Sequence, residues 1–179
     1  QYRLLAIDLD GTLLNSRKKI SKEDLKAIDL FIRLGGQVVI STGRHFAATY
    51  KYVQQINEYA KTEMPYIITL NGAEIYNAKQ ERIYSKFIDK ETITDINKIL
   101  KKNKTLYFAY PVENEKQNKT PVANSRFVQC FAAARFAVRP KYVKEYYNHE
   151  VYKINIMGFN PKKLKRVRRE IIEKFAGKI

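Results

Sequence analysis

The sequence has no tryptophan, one cysteine and two histidines among its 179 residues, and no aspartate follows Asp95. Each shortage excludes something. A lone cysteine, Cys130, cannot close an internal disulfide. His45 and His149 have no partner at metal-ligand spacing, which assigns both to surface or packing roles, with His45 the more interesting for following Arg44. No apolar run reaches the roughly 20 residues that a membrane-crossing helix requires. Acids stand near the N-terminus where a secretory signal would carry an unbroken apolar core. A globular protein of the reducing cytoplasm is therefore expected. The triplets Asn103-Lys104-Thr105 and Asn118-Lys119-Thr120 match the glycosylation pattern, but nothing else points to secretion, and they read as chance.

What is present is enough for a core: 45% of the residues are hydrophobic, and the length suits one ordinary domain or two small ones. The formal charge of +16 is unevenly spread. Residues 1–80 hold 11 basic and 8 acidic side chains, whereas residues 81–179 hold 23 and 10. A basic second half either focuses anions toward a site or is a solvated surface set by a composition rich in Lys, Ile, Asn and Tyr.

Along the chain, Leu4 to Ile7 reads as a short strand buried on both faces, as in the middle of a parallel sheet. Ser21 with Asp24 three residues on resembles a capping box. The helix it opens carries Leu25, Ile28, Phe31 or Ile32, and Leu34 at helical spacing, and Gly35-Gly36 stops it. Gln37 to Ser41 is the second strand, His45 to Tyr59 a second helix and Pro65 to Leu70 a third strand, the alternation of a doubly wound fold. Ala73 to Tyr76 and Arg82 to Ser85 then suggest a hairpin. Further on, a helix over Thr92 to Lys101, strands over Leu106 to Tyr110 and Val151 to Met157, and a basic amphipathic helix over Pro161 to Phe175 are expected. The last places Leu164, Val167, Ile171 and Phe175 on one face and leaves a solvated basic face. Pro111 to Pro140 has no assignable pattern, although Cys130 amid Phe127, Val128 and Phe131 reads as a small core hydrophobe.

The chemistry lies at the strand ends. Asp8 and Asp10 follow the first apolar run, and Gly11 lets the chain turn away beside them. Carboxylates do not belong inside a buried strand, but at its carboxyl end, where open α/β sheets bind ligands, they are candidates for chemistry. Asp8-Leu9-Asp10-Gly11-Thr12 resembles the first signature of the haloacid dehalogenase superfamily. Ser41-Thr42-Gly43-Arg44 resembles the second, and Asn71-Gly72-Ala73 matches the tripeptide after the third strand in Cof-type members. Taken without the family, Ser-Thr-Gly marks a loop or helix start and Asn-Gly a hairpin turn.

The resemblance implies a Rossmann-like α/β core over residues 1–86 with an inserted α/β cap over residues 87–179, incomplete at the C-terminus. It implies a Mg²⁺-dependent phosphatase of the Cof type acting on a small phosphorylated metabolite, such as a sugar phosphate. Asp8 would be the nucleophile that forms an aspartyl-phosphate and Asp10 the acid and base. Mg²⁺ would sit on the Asp8 carboxylate and the Asp10 backbone carbonyl. Thr42 would hold a phosphate oxygen, with Gly43, Arg44, Asn71 and Gly72 around it. The family's later signatures, a lysine beside the phosphate and an acidic Gly-Asp segment that completes the metal site, have no match here, so the chain is expected to stop inside the cap. A phosphomutase of the same superfamily would share Asp8 to Thr12. A nucleic-acid binder using Lys162 to Arg169 is the alternative from another class, although the aromatic and glycine signatures of RNA modules are missing.

Overall fold

A computed structural model describes residues 2–112, 120–136 and 138–177. It divides into two compact units, Gln1–Lys86 and Phe87–Ile179. Asn118 and Lys119 of the second triplet lie outside the described residues. Among the described residues no helix is long and apolar enough to cross a membrane.

The first unit runs β1 (Leu4–Ile7), α1 (Lys22–Arg33), β2 (Gln37–Ser41), α2 (Phe46–Ala60), β3 (Tyr66–Thr69), β4 (Glu74–Asn77) and β5 (Arg82–Ser85). These strands form one sheet in the order β1-β2-β3-β4-β5; β1, β2 and β3 are parallel, and β4 and β5 return antiparallel as a hairpin. The start of α1 is set locally. The Ser21 hydroxyl accepts the Asp24 amide at 3.0 Å, the N-cap half of a capping box, and donates to the Asp24 carboxylate at 2.6 Å, so the acid meets the hydroxyl in place of the Ser21 amide. Its end is set by Gly35 at φ 84°, and by Gly36, where the Phe31 ring occupies the space a side chain would need.

Two features of this unit follow from its strand order. Three strands added in one direction by right-handed crossovers put α1 and α2 on the same face of the sheet, in contact with each other. Within these residues the sheet is therefore wound on one side. Among the described residues β1 pairs with β2 alone, and Leu4 and Leu5 are 58% and 39% exposed there. The core lies instead between the helices and β2 and β3, around Ile28, Ile40, Val53, Ile56 and Ile67, with Leu9 and Leu13 folded in from the turn after β1. Leu34 closes α1 at 65% exposure, outside that core.

The second unit contains α3 (Lys90–Lys102), β6 (Leu106–Pro111), β7 (Val122–Ala123), α4 (Arg126–Phe136), β8 (Lys141–Tyr142), β9 (Val151–Met157) and α5 (Pro161–Phe175). Its sheet has the order β8-β7-β6-β9, with β6 antiparallel to both neighbours. Helices α3 and α5 pack together over a core that includes Ile96, Leu100, Tyr107 and Val167. The unassigned stretch supplies α4, which is apolar on more than one face and so has no clean amphipathic period. Val128 and Ala132, four apart, face the core. Cys130 lies on the other side of the helix and is exposed, against the reading of a core cysteine. The basic face of α5 is more engaged than expected. Lys163 Nζ donates to the Lys104 carbonyl at 3.0 Å, Arg166 Nη2 to Asn103 Oδ1 at 2.9 Å, and Lys174 pairs with Asp95 at 2.8 Å.

Candidate active site

The carboxyl ends of three parallel strands position this site. The turn after β1 carries both acids. Leu13 N donates to the Asp8 carbonyl at 3.2 Å and Leu14 N to the Leu9 carbonyl at 2.9 Å, while Gly11 adopts φ 81°, a region costly for other residues. Beyond it, Asn15 closes a tight turn: its Oδ1 accepts the amides of Arg17 and Lys19 at 2.9 and 3.1 Å, and Lys18 sits at φ 56°.

The loop after β2 is laced to the segment after β3 by three backbone hydrogen bonds. Thr42 N donates to the Ile68 carbonyl at 3.0 Å, Asn71 N to the Thr42 carbonyl at 3.0 Å, and Leu70 N to the Arg44 carbonyl at 2.9 Å. To make these bonds the chain at Leu70 and Asn71 turns left-handed, at φ 50° and 62°, and Gly72 follows at 90°. Asn tolerates that region; for Leu70 it is unusual, and the lacing holds it there. The buried Thr42 accepts the Arg44 amide on Oγ1 at 3.3 Å, which leaves its own proton to donate.

The first two motifs meet through side chains. Arg44 grips Asp10 with both ends of its fork, Nε to Oδ2 at 2.6 Å and Nη2 to Oδ1 at 2.8 Å, and Lys18 Nζ reaches the same Oδ1 at 2.6 Å. The Arg44 hydrogen bonds hold the Asp10 carboxyl far below the usual carboxylate range; partial burial opposes this, and Lys18 adds to it. The guanidinium is driven up in turn, chiefly by its bond to Asp10. Asp8 differs sharply. Among the described residues no side chain bonds or pairs with its carboxylate, which stands exposed at the end of β1.

The haloacid dehalogenase-like hydrolase family matches residues 5–179. The chain belongs to that family. A curated relative from Mycoplasma pneumoniae is 29% identical over 179 residues, covering 96% of this chain and 64% of its own length. The Bacillus subtilis 5-amino-6-(5-phospho-D-ribitylamino)uracil phosphatase YcsE is 34% identical over 119 residues, 66% of this chain and 46% of that protein. A haloacid dehalogenase-like hydrolase from Bacteroides thetaiotaomicron has the same fold, with TM-score 0.77 at 23% identity, covering all of this chain and 66% of its own. The chain thus spans about six-tenths of the length of the relatives it matches from end to end.

The family motifs therefore sit on adjoining turns, with Asp10, Thr42, Gly43, Arg44, Asn71 and Gly72 joined through hydrogen bonds or by succession in the same turns, and Asp8 two residues from Asp10. Lys18 and Tyr52 were not singled out from the sequence. Lys18 has no motif, and Tyr52 reads only as one of the apolar positions of α2. The oxygen donors at Asp8 and Asp10 fit a hard cation such as Mg²⁺ but supply only part of its shell. Among the described residues no group of three or more His, Cys, Asp or Glu side chains gathers to finish it.

Proposed function

We propose that this chain carries the nucleophile-bearing part of a Mg²⁺-dependent phosphatase of the Cof type, which hydrolyses a small phosphorylated metabolite such as a sugar phosphate through an aspartyl-phosphate on Asp8. The observation that supports this most is the contrast between the two acids: one carboxylate bare at a strand end, the other clamped by two cations. A phosphate monoester repels an anionic nucleophile, so attack needs positive groups to take up the charge on the phosphoryl oxygens. Arg44 and Lys18 are within reach of Asp10 for that purpose.

In the first step an Asp8 oxygen bonds to phosphorus as the bond to the alcohol oxygen breaks, and Asp10 gives that oxygen a proton. In the second, water attacks phosphorus, Asp10 takes a proton back, and inorganic phosphate leaves a free Asp8. To carry the proton Asp10 must be released from its clamp, and a bound phosphate offers Arg44 and Lys18 another anion. Thr42 donates its hydroxyl to a non-bridging oxygen, while Gly43, Asn71 and Gly72 shape the turn beside it. The formal charges of Asp8, Asp10, Lys18 and Arg44 cancel, so a phosphate dianion meets no net positive charge from these four. Mg²⁺, held by the Asp8 carboxylate and the Asp10 carbonyl, would supply it.

The Bacillus subtilis relative is named for a phosphorylated ribityl compound, which supports a polyol or sugar phosphate as the substrate class here. By its place in the chain, the second unit is the cap that would select among them. The test uses the full-length protein with an aryl phosphate and Mg²⁺. Asp8→Asn should lower kcat on the order of a thousandfold or more without shifting the melting temperature. Wild-type turnover in that variant would sink the assignment.

A further inference from the structure

Tyr52 is 4% exposed on the core face of α2, yet its hydroxyl meets both cations of the site. It donates to the backbone carbonyl of Lys18 at 3.2 Å and accepts from Arg44 Nη1 at 3.5 Å. The Arg44 guanidinium carbon lies 5.5 Å from the centre of the same ring. One buried phenol on helix α2 thus ties the Asn15–Lys19 turn, 34 residues away, to the loop that leads from β2 into that helix. The turn at Lys18 is closed by its own Asn15, with Lys18 N donating to the Asn15 carbonyl at 2.9 Å and Asn15 N to the Lys19 carbonyl at 3.0 Å. Those bonds fix its shape, and the bridge between the buried Leu14 and Ile20 anchors its base. Tyr52 contacts the turn at Lys18 itself, the residue whose ammonium reaches Asp10.

We propose that Tyr52 is a positioning residue of this site, whose hydroxyl registers the Lys18 turn against Arg44 and so sets both cations on the carboxylate of Asp10. The inference rests on the reading of Asp8 and Asp10 as the reactive pair. A buried tyrosine whose hydroxyl merely finds a partner would also satisfy burial. The difference is that here both partners belong to residues converging on one carboxylate, so losing the hydroxyl should loosen the clamp while the ring keeps the core filled.

Tyr52→Phe separates the two. In the full-length protein, NMR of the Arg44 Nε–H reads the clamp without any turnover. Exchange of that proton should be about tenfold faster in Tyr52→Phe than in wild type, the scale of one lost hydrogen bond. It should be faster still in Asp10→Asn, which removes the acceptor charge. In the aryl phosphatase assay kcat/KM should fall about tenfold, because Arg44 and Lys18, which pass from Asp10 to the phosphoryl oxygens, are no longer held in register, with the melting temperature within a few degrees of wild type. An Arg44 Nε–H exchange rate unchanged by Tyr52→Phe overturns the proposal whatever the assay gives. A wild-type protein without phosphatase activity would instead sink the proposed function and leave the exchange rate to decide on Tyr52.

Discussion

In the first unit the decisive side chains are charged and sit in turns; in the second they are neutral and sit between elements. Asp10, Lys18 and Arg44 gather at the strand ends of the parallel sheet. In the antiparallel unit the comparable bonds come from asparagines and tyrosines. Asn124 accepts the Tyr107 amide and donates to the Thr105 carbonyl, both at 2.9 Å; Asn97 donates to the Tyr147 carbonyl at 2.8 Å; and the Tyr147 amide donates to the Tyr107 hydroxyl at 2.7 Å. Such bonds satisfy buried backbone where short strands leave it unpaired. They stabilise the fold and offer no nucleophile. The basic excess of the second half therefore falls outside the unit to which the proposed chemistry is assigned.

The largest effect that tests this division is the loss of turnover in Asp8→Asn, with stability intact. Its counterpart is Leu100→Ala in the second unit. Leu100 is fully buried, and its truncation should cost about 3 kcal/mol of folding stability by denaturant titration. Inorganic phosphate affinity should stay at the wild-type value; a parallel fall in affinity would break the comparison. Alkali gives a smaller contrast. Burial pushes the phenols of Tyr107 and Tyr110 up to about 12, from an ordinary value of 10. As pH rises from about 10 to 12 the unfolded chain releases protons that the folded one retains, so stability falls across that window. Tyr107→Phe should flatten the loss, as followed by circular dichroism. The smallest effect is at acid pH. Lys174 and Lys98 hold the Asp95 carboxyl at about 2, so its contribution is complete above about pH 4 and is lost as pH falls toward 2. Asp95→Asn should shift the acid transition slightly; an unshifted transition would remove this pair from the account.

Where the sequence was legible, the determinants were local. The capping pair Ser21 and Asp24, the stop at Gly35-Gly36 and the Pro161 start of α5 each lie within a few residues of the feature they fix. The placement of Asp8 and Asp10 just past a strand followed from the same kind of reading. What the sequence did not disclose depends on distant partners. The clamp on Asp10 joins positions 34 residues apart. Tyr52 looked like core because its ring is core; only its hydroxyl has the second task. Helix α4 escaped because Phe127 and Phe131 add apolar weight about 100° round the helix from Val128 and Ala132, blurring the period that reveals a helix.

Cys130 is the chain's only thiol, and it points away from the core side of α4. The antiparallel unit therefore carries a single natural attachment point for a fluorophore or spin label. A probe fixed there would report on that unit of the chain.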